Sequence, residues 1–261
     1  MKTVFHRFYA DYLMPSRLGE YEAVLRQANE MDYAQLPVRD FFRALAQPAT
    51  LPERVLVHRH DIDSDLRTAK KLFAVESRHG IHATYYFRLC TLDFGFMREI
   101  AAAGSEASYH YEEVSDFAKR HRIRDADALR QRFPEIRELF IRNFDSIRQR
   151  LGMPLATVAS HGDFANRRLN VINHELLRDP GLRAHCGIEC EAYDEPLLRN
   201  IDMYISDRKY PVYYRPMSPF DALGQHRRIL FLTHPVQWET NWVDNTRLNA
   251  RRLVEELAWR A

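Results

Sequence analysis

Five side chains of chemically capable types recur at one kind of place in this chain. Asp61 and Asp63 lie two residues apart in His58-Arg59-His60-Asp61-Ile62-Asp63, so on extended backbone both point to one face. Two carboxylates that close repel each other when ionised. A cation bound by one relieves the repulsion and leaves the other free as a base. His110 follows Glu106 and Ser108 on the same face of an extended run, and a neutral imidazole there suits a divalent transition metal. His161 stands between Ser160 and Gly162. The glycine lets backbone approach a ligand closely, and its N–H can serve as an oxyanion donor. His234 ends the apolar run Ile229-Leu230-Phe231-Leu232, with Pro235 fixing the exit of the chain, a setting suited to general-acid duty.

The elements that must position these residues follow from the hydrophobic pattern. Strands are expected at 54–61, 82–89, 106–110, 155–160 and 228–233, with shorter ones at 188–192 and 203–206. Between them lie helical patterns. Ser64 is expected to cap a helix carrying Leu66, Ala69, Leu72, Phe73 and Val75 and ended by Gly80. Further helices are expected at 93–103, at 125–150 with an interruption near Pro134, at 166–178 and at 242–259. Upstream, Ser16 is expected to cap a helix reaching Met31, and 38–46 forms a short second one. Alternating strands and helices imply a parallel sheet with crossover connections, hence an α/β barrel of six to eight strands. In such barrels chemistry gathers where strands end. Four strands end in His or Asp: at Asp61 and Asp63, at His110, at His161 and at His234. Residues 1–50 are expected to be a helical extension packed on a barrel formed by 51–261, in one domain.

Composition narrows the function classes. The chain has 261 residues, enough to bury a large core without disulfide or zinc staples. Basic and acidic residues nearly cancel, 38 against 36, which argues against a dedicated nucleic-acid binder. Charges interrupt the N-terminal segment too often for a secretory leader, and no run approaches the ~18 apolar residues of a membrane span. The expected location is therefore cytoplasmic, with no membrane insertion. Cys186 and Cys190 read as reduced thiols rather than metal ligands.

Several motifs together resemble the polysaccharide deacetylases of carbohydrate esterase family four: His60-Asp61-Ile62-Asp63, Ala83-Thr84-Tyr85-Tyr86-Phe87, Glu106-Ala107-Ser108-Tyr109-His110 and Leu232-Thr233-His234-Pro235. The resemblance spans 54–240. It is strongest to a divergent branch associated with bacterial surface-polysaccharide (O-antigen type) biosynthesis. It implies a distorted (β/α) barrel, often of seven strands. It implies Asp61 as the base activating a metal-bound water, Asp63 and His110 as metal ligands, and His234 as the acid protonating the leaving amine. The reaction implied is hydrolysis of an N-acyl group, acetyl or formyl, from an amino sugar. The family's second metal histidine would fall four residues after His110, where this chain has Val114. His161 is the favoured replacement, ahead of Glu112 and Glu113. The third motif of the family is replaced by Ser160-His161-Gly162-Asp163. Its fourth has no clear counterpart, Tyr193-Asp194 and Arg215 lying in that stretch. Glu112, Gly162, Arg215 and Trp238 stand as candidates for substrate contact. Zinc is the expected ion, with iron, cobalt and nickel compatible.

Two other readings compete. His58-x-His60 resembles the metal pair of amidohydrolases, although alternation puts both on the face opposite Asp61 and Asp63. Val114 suggests instead a sugar-binding protein on a deacetylase fold that has lost catalysis. The expected substrate is an amino sugar, nucleotide-linked or lipid-diphosphate-linked. Planar arginine forks would suit the diphosphate.

Overall fold

The computed structural model describes residues 2–260, in which nine strands form one curled sheet: β1 Ala34–Pro37, β2 Val55–Ile62, β3 Thr84–Phe87, β4 Glu106–Tyr111, β5 Thr157–Ser160, β6 Cys190–Glu191, β7 Met203–Asp207, β8 Tyr214–Arg215 and β9 Arg228–Thr233. Seven run side by side in the order β6-β5-β4-β3-β2-β9-β7, all parallel. β8 adds an antiparallel edge to β7. With helices packed around the curl, this is a distorted (β/α) barrel. All eight residues of β2 are buried, as expected of a parallel strand covered on both faces.

Strand β3 pairs only with the second half of β2, from Arg59 to Ile62. β1 occupies the first half of that edge, pairing Ala34–Pro37 with residues 55–58. The N-terminal segment thus contributes a sheet strand besides its helices, and the helix Val38–Ala44 that follows places Val38 and Phe41 in a cluster with Val55, Val57, Leu230 and Leu232. That cluster fills the lower interior of the barrel. On β2, Val55 and Val57 share their face with Arg59 and Asp61, whereas His58 and His60 share theirs with Leu56, which packs against the outer helices.

Several local expectations are corrected. Asp65, in left-handed conformation (φ 55°), caps the helix Leu66–Arg78 by accepting from the Thr68 N–H; Ser64 does not. The helix Leu18–Glu30 begins two residues beyond Ser16, whose hydroxyl accepts from the Leu18 N–H at 3.4 Å. The single helix expected at 166–178 is two pieces, Phe164–Leu169 and the 3-10 turn Asn173–Arg178. Asn170 adopts a left-handed φ of 52° and ends the first piece. No helix is long and apolar enough to cross a membrane among the described residues.

Candidate active site

Asp63, His110 and His161 meet at the upper end of the barrel. His110 Nε2 lies 3.3 Å from Asp63 Oδ1, and His161 Nε2 lies 3.5 Å from the same oxygen. Each imidazole has its other nitrogen turned to an acceptor. His110 Nδ1 donates to the Ala159 carbonyl at 2.9 Å, and His161 Nδ1 faces Glu112 Oε2 at 3.4 Å. The Nε2 atoms are thereby left to point inward, the arrangement that orients histidines toward a metal. Asp63 Oδ1 is buried without a hydrogen-bond partner, a costly condition that a cation relieves. One donor atom from each residue lies within 4.8 Å of the others, so these three residues fit a single divalent ion.

The loop carrying His161 is held from several sides. The His161 N–H donates to the Tyr111 carbonyl at 2.8 Å, and the Asn173 amide donates to the His161 carbonyl at 2.5 Å. Just before it, the Ser160 N–H donates to Glu191 at 2.7 Å. Glu112 is not placed for substrate contact, a correction to the sequence reading. It is buried, its carboxylate is bound by the Arg88 guanidinium through both oxygens, and it backs His161. Burial works to lower the His161 pKa, but Asp63 and Glu112 outweigh it and push the ring up to about 9. Glu113 turns away to Tyr109 and Asn143, at 2.5 and 2.9 Å, and burial pushes its carboxyl up to about 7.

Asp61 lies beside this cluster, 3.5 Å from His110 Nε2. Its carboxylate takes two parallel bonds from Arg59, at 2.9 and 2.8 Å, with both side chains almost fully buried. Burial favours the protonated acid, yet the Arg59 guanidinium prevails and holds the carboxyl below its ordinary range. Tyr193 stacks under the guanidinium at 4.4 Å. On β7, the neighbour of β9, Asp207 holds His234. Its carboxylate accepts from the ring Nδ1 at 2.7 Å, from the His234 backbone N–H at 2.6 Å and from the Trp238 indole at 3.0 Å. Burial lowers the His234 pKa, but Asp207, with Asp63 and Asp61, pushes it up to about 9.

The structure thus brings Asp61, Asp63, His110, His161 and His234 to one cleft of about 500 Å³, with Gly162, Ser160, Tyr193, Tyr204 and Arg208 on its walls. Two sequence-level substrate candidates are corrected. Trp238 is fully buried against Tyr21 and Phe231 and offers no face to a sugar. Arg215 is exposed on the edge strand β8 and lies outside the cleft. Val114 is fully buried in the apolar cluster of Tyr109, Phe117 and Phe140. The amidohydrolase pair also fails. His58 bonds Gln35 at 2.7 Å and burial lowers its pKa to about 4. His60 sits between Glu76 and Thr233, at 2.6 and 2.5 Å.

Two positioning residues escaped the sequence reading. Arg59 precedes Asp61 by two on the same strand face, so alternation alone could have exposed it. Asp207 ends β7, and the strand-end rule applies to it, but its strand lies in a stretch of weak pattern. A second His/carboxylate group, His174, Glu191 and Asp194, lies nearby. There Arg183 already binds Asp194 through two bonds of 2.6 Å, and Glu191 accepts from backbone N–H groups, so the charge is met within the protein.

No family model and no curated protein sequence matches the chain. Among solved structures it is similar to the Streptococcus pyogenes deacetylase PplD in complex with acetate, at 12% identity and a TM-score of 0.39. That match covers 57% of this chain and 66% of the other, just under two thirds of its length. It is also similar to the Xyl-CE4 domain of a multidomain xylanase from the hindgut metagenome of Trinervitermes trinervoides, at 14% identity and a TM-score of 0.37. Here 79% of this chain and 83% of the other are covered.

Proposed function

We propose that this protein is a metal-dependent hydrolase that removes an N-acyl group, acetyl or formyl, from an amino sugar. The observation that carries the reading is the convergence of an Asp/His/His cation cradle with an Arg-held carboxylate and an Asp-held imidazole in one cleft. Asp63, His110 and His161 would hold the ion. Zinc suits this donor set by default, and iron, cobalt or nickel are compatible. A bound divalent ion supplies Lewis acidity, polarising the amide carbonyl and lowering the pKa of a water toward ~7.

The chain's own residues supply the proton traffic. Asp61, kept ionised by Arg59, accepts a proton from the attacking water. Both of its oxygens accept from Arg59, so its orientation is fixed before substrate arrives. His234, kept protonated by Asp207, donates to the amide nitrogen as the carbon–nitrogen bond breaks, and the amine leaves neutral. The Gly162 N–H, on the wall of the cleft, is the candidate donor to the developing oxyanion. A role in surface-polysaccharide biosynthesis rests on the motif resemblance. A cytoplasmic setting is supported by three unpaired cysteines, Cys90, Cys186 and Cys190.

The test is acetate release from N-acetylglucosamine and related amino sugars by zinc-loaded protein, with a chelator control. Asp61→Asn and His234→Ala should each cost about 10²–10⁴-fold in kcat, while His58→Ala should retain activity. Undiminished turnover in Asp61→Asn, or after complete metal removal, would sink the proposal.

A further inference from the structure

We infer that the groove adjoining the catalytic cleft is a subsite for a diphosphate carried by the sugar substrate. This rests on the hydrolase reading for the sugar, though not for the anion. The groove, about 490 Å³, shares His161 and Gly162 with the cleft, so one ligand can occupy both. Arg7, Arg88, Arg167, Lys209, Arg251 and Arg252 line it, of which Arg88 is bound by Glu112, and Arg7 and Lys209 lie against Asp11. Three carboxylates share the wall, and none of them is free. Asp163 and Glu255 both accept from Lys119, at 3.0 and 3.2 Å, and Glu255 also pairs with Arg251 at 2.7 Å. Glu256 is the third.

Among the described residues, the Arg167 and Arg252 side chains pair with no carboxylate. They approach the groove from different elements, the helix Phe164–Leu169 and the helix Trp242–Arg260. Next to Lys209, Arg208 lines the catalytic cleft itself, so cations run continuously from groove to site. A neutral glycan needs no such row. A diphosphate does, because planar guanidinium forks bind its oxygens in pairs. The cavity volume suits a diphosphate and its attached group.

A diphosphate can be borne by a nucleotide or by a lipid. The two helices flanking the groove expose apolar side chains, Phe5 at 60% and Phe8 at 51% on Lys2–Phe8, and Leu253 at 60% and Leu257 at 57% on Trp242–Arg260. The probes therefore include both sources.

Calorimetric titration of zinc-loaded protein with inorganic pyrophosphate, uridine diphosphate and farnesyl diphosphate tests the assignment. All three should bind wild type, the tighter of the two organic diphosphates naming the source. The Arg167→Ala/Arg252→Ala double variant should bind pyrophosphate at least about tenfold more weakly while keeping its zinc stoichiometry and circular dichroism. Asp63→Ala should lose zinc yet retain pyrophosphate binding, which separates the groove from the ion. Pyrophosphate affinity that survives the double variant and disappears with Asp63→Ala would overturn the inference, as would no binding to wild type. Diphosphate binding without release of acetate or formate from the corresponding N-acyl amino sugars would instead leave the subsite standing and refute the hydrolase reading.

Discussion

Asp207→Asn isolates what makes His234 an acid. Asp207 is almost fully buried, and its carboxylate accepts the His234 ring N–H at 2.7 Å. Burial alone would drive the imidazole below its ordinary 6.5, but the Asp207 charge, with smaller help from Asp63 and Asp61, reverses this and pushes it up to about 9. The gap between those values corresponds to at most about 3 kcal/mol of preference for the protonated ring. Asparagine keeps the size and one acceptor oxygen while removing the charge. In the metal-free variant, where only Asp63 and Asp61 still favour the cation, the His234 ring should titrate well below 9, as read from its imidazole proton resonances. Stability should follow with a definite sign. A group whose pKa is raised on folding stabilises fully below its unfolded value, and that stability disappears as pH rises through the folded value. Between about pH 6 and about pH 10, metal-free wild type should lose up to about 3 kcal/mol through His234, and Asp207→Asn should lose markedly less, measured by urea denaturation at each pH. The pH profile of kcat should lose its alkaline shoulder in parallel. A ring in the variant that still titrates near 9 would refute the reasoning, because the cation would then owe its stability to something other than Asp207.

Other predictions concern the remaining partners. Arg59→Met leaves the buried Asp61 carboxylate unpaired and should cost about 3–5 kcal/mol in denaturation experiments; adding Asp61→Leu should restore most of that stability without restoring activity. Because the metal-free His161 ring is held protonated up to about 9, zinc must displace a proton. Zinc affinity should therefore rise about tenfold per pH unit below that value, with proton release visible by calorimetry in buffers of different ionisation enthalpy. Val114→His should bring no additional metal and should destabilise the fold by about 1–3 kcal/mol, since it buries an imidazole in an apolar cluster; elemental analysis and thermal denaturation check both parts.

The site residues were legible where a strand's end and its alternation were both strong. The apolar-rich runs before Asp61, His161 and His234 and the β-favouring segment 106–109 before His110 mark strands, and parallel α/β topology aligns their ends without further information. Alternation likewise separated Asp61 from His58 and His60, which face the outer helices. Legibility failed where position along the chain had to stand for direction in space. Trp238 lies four residues beyond His234, but the 3-10 turn Pro235–Gln237 swings it inward, where its indole reaches Asp207. Arg215 belongs to a two-residue edge strand that periodicity cannot define. Asp207 lies one residue past the strand expected at 203–206, in a segment of weak pattern where the strand's end was not marked. The position four residues beyond His110, where the motif resemblance would put a histidine, cannot reach the proposed cation for a steric reason. The helix Glu113–His121 starts too soon after β4, and the residue four beyond His110 packs into the core. His161, just past β5, stands beside Asp63 and His110 instead.

The account stands on one ion being held by Asp63, His110 and His161 between Asp61 and His234. An anomalous-diffraction map from crystals of zinc-loaded protein tests this most directly. It should show a single strong peak at ligand distance, ~2.0–2.2 Å, from one carboxylate oxygen of Asp63 and from Nε2 of both histidines. Absence of a peak there, or a peak at His174, Glu191 and Asp194 instead, would contradict it.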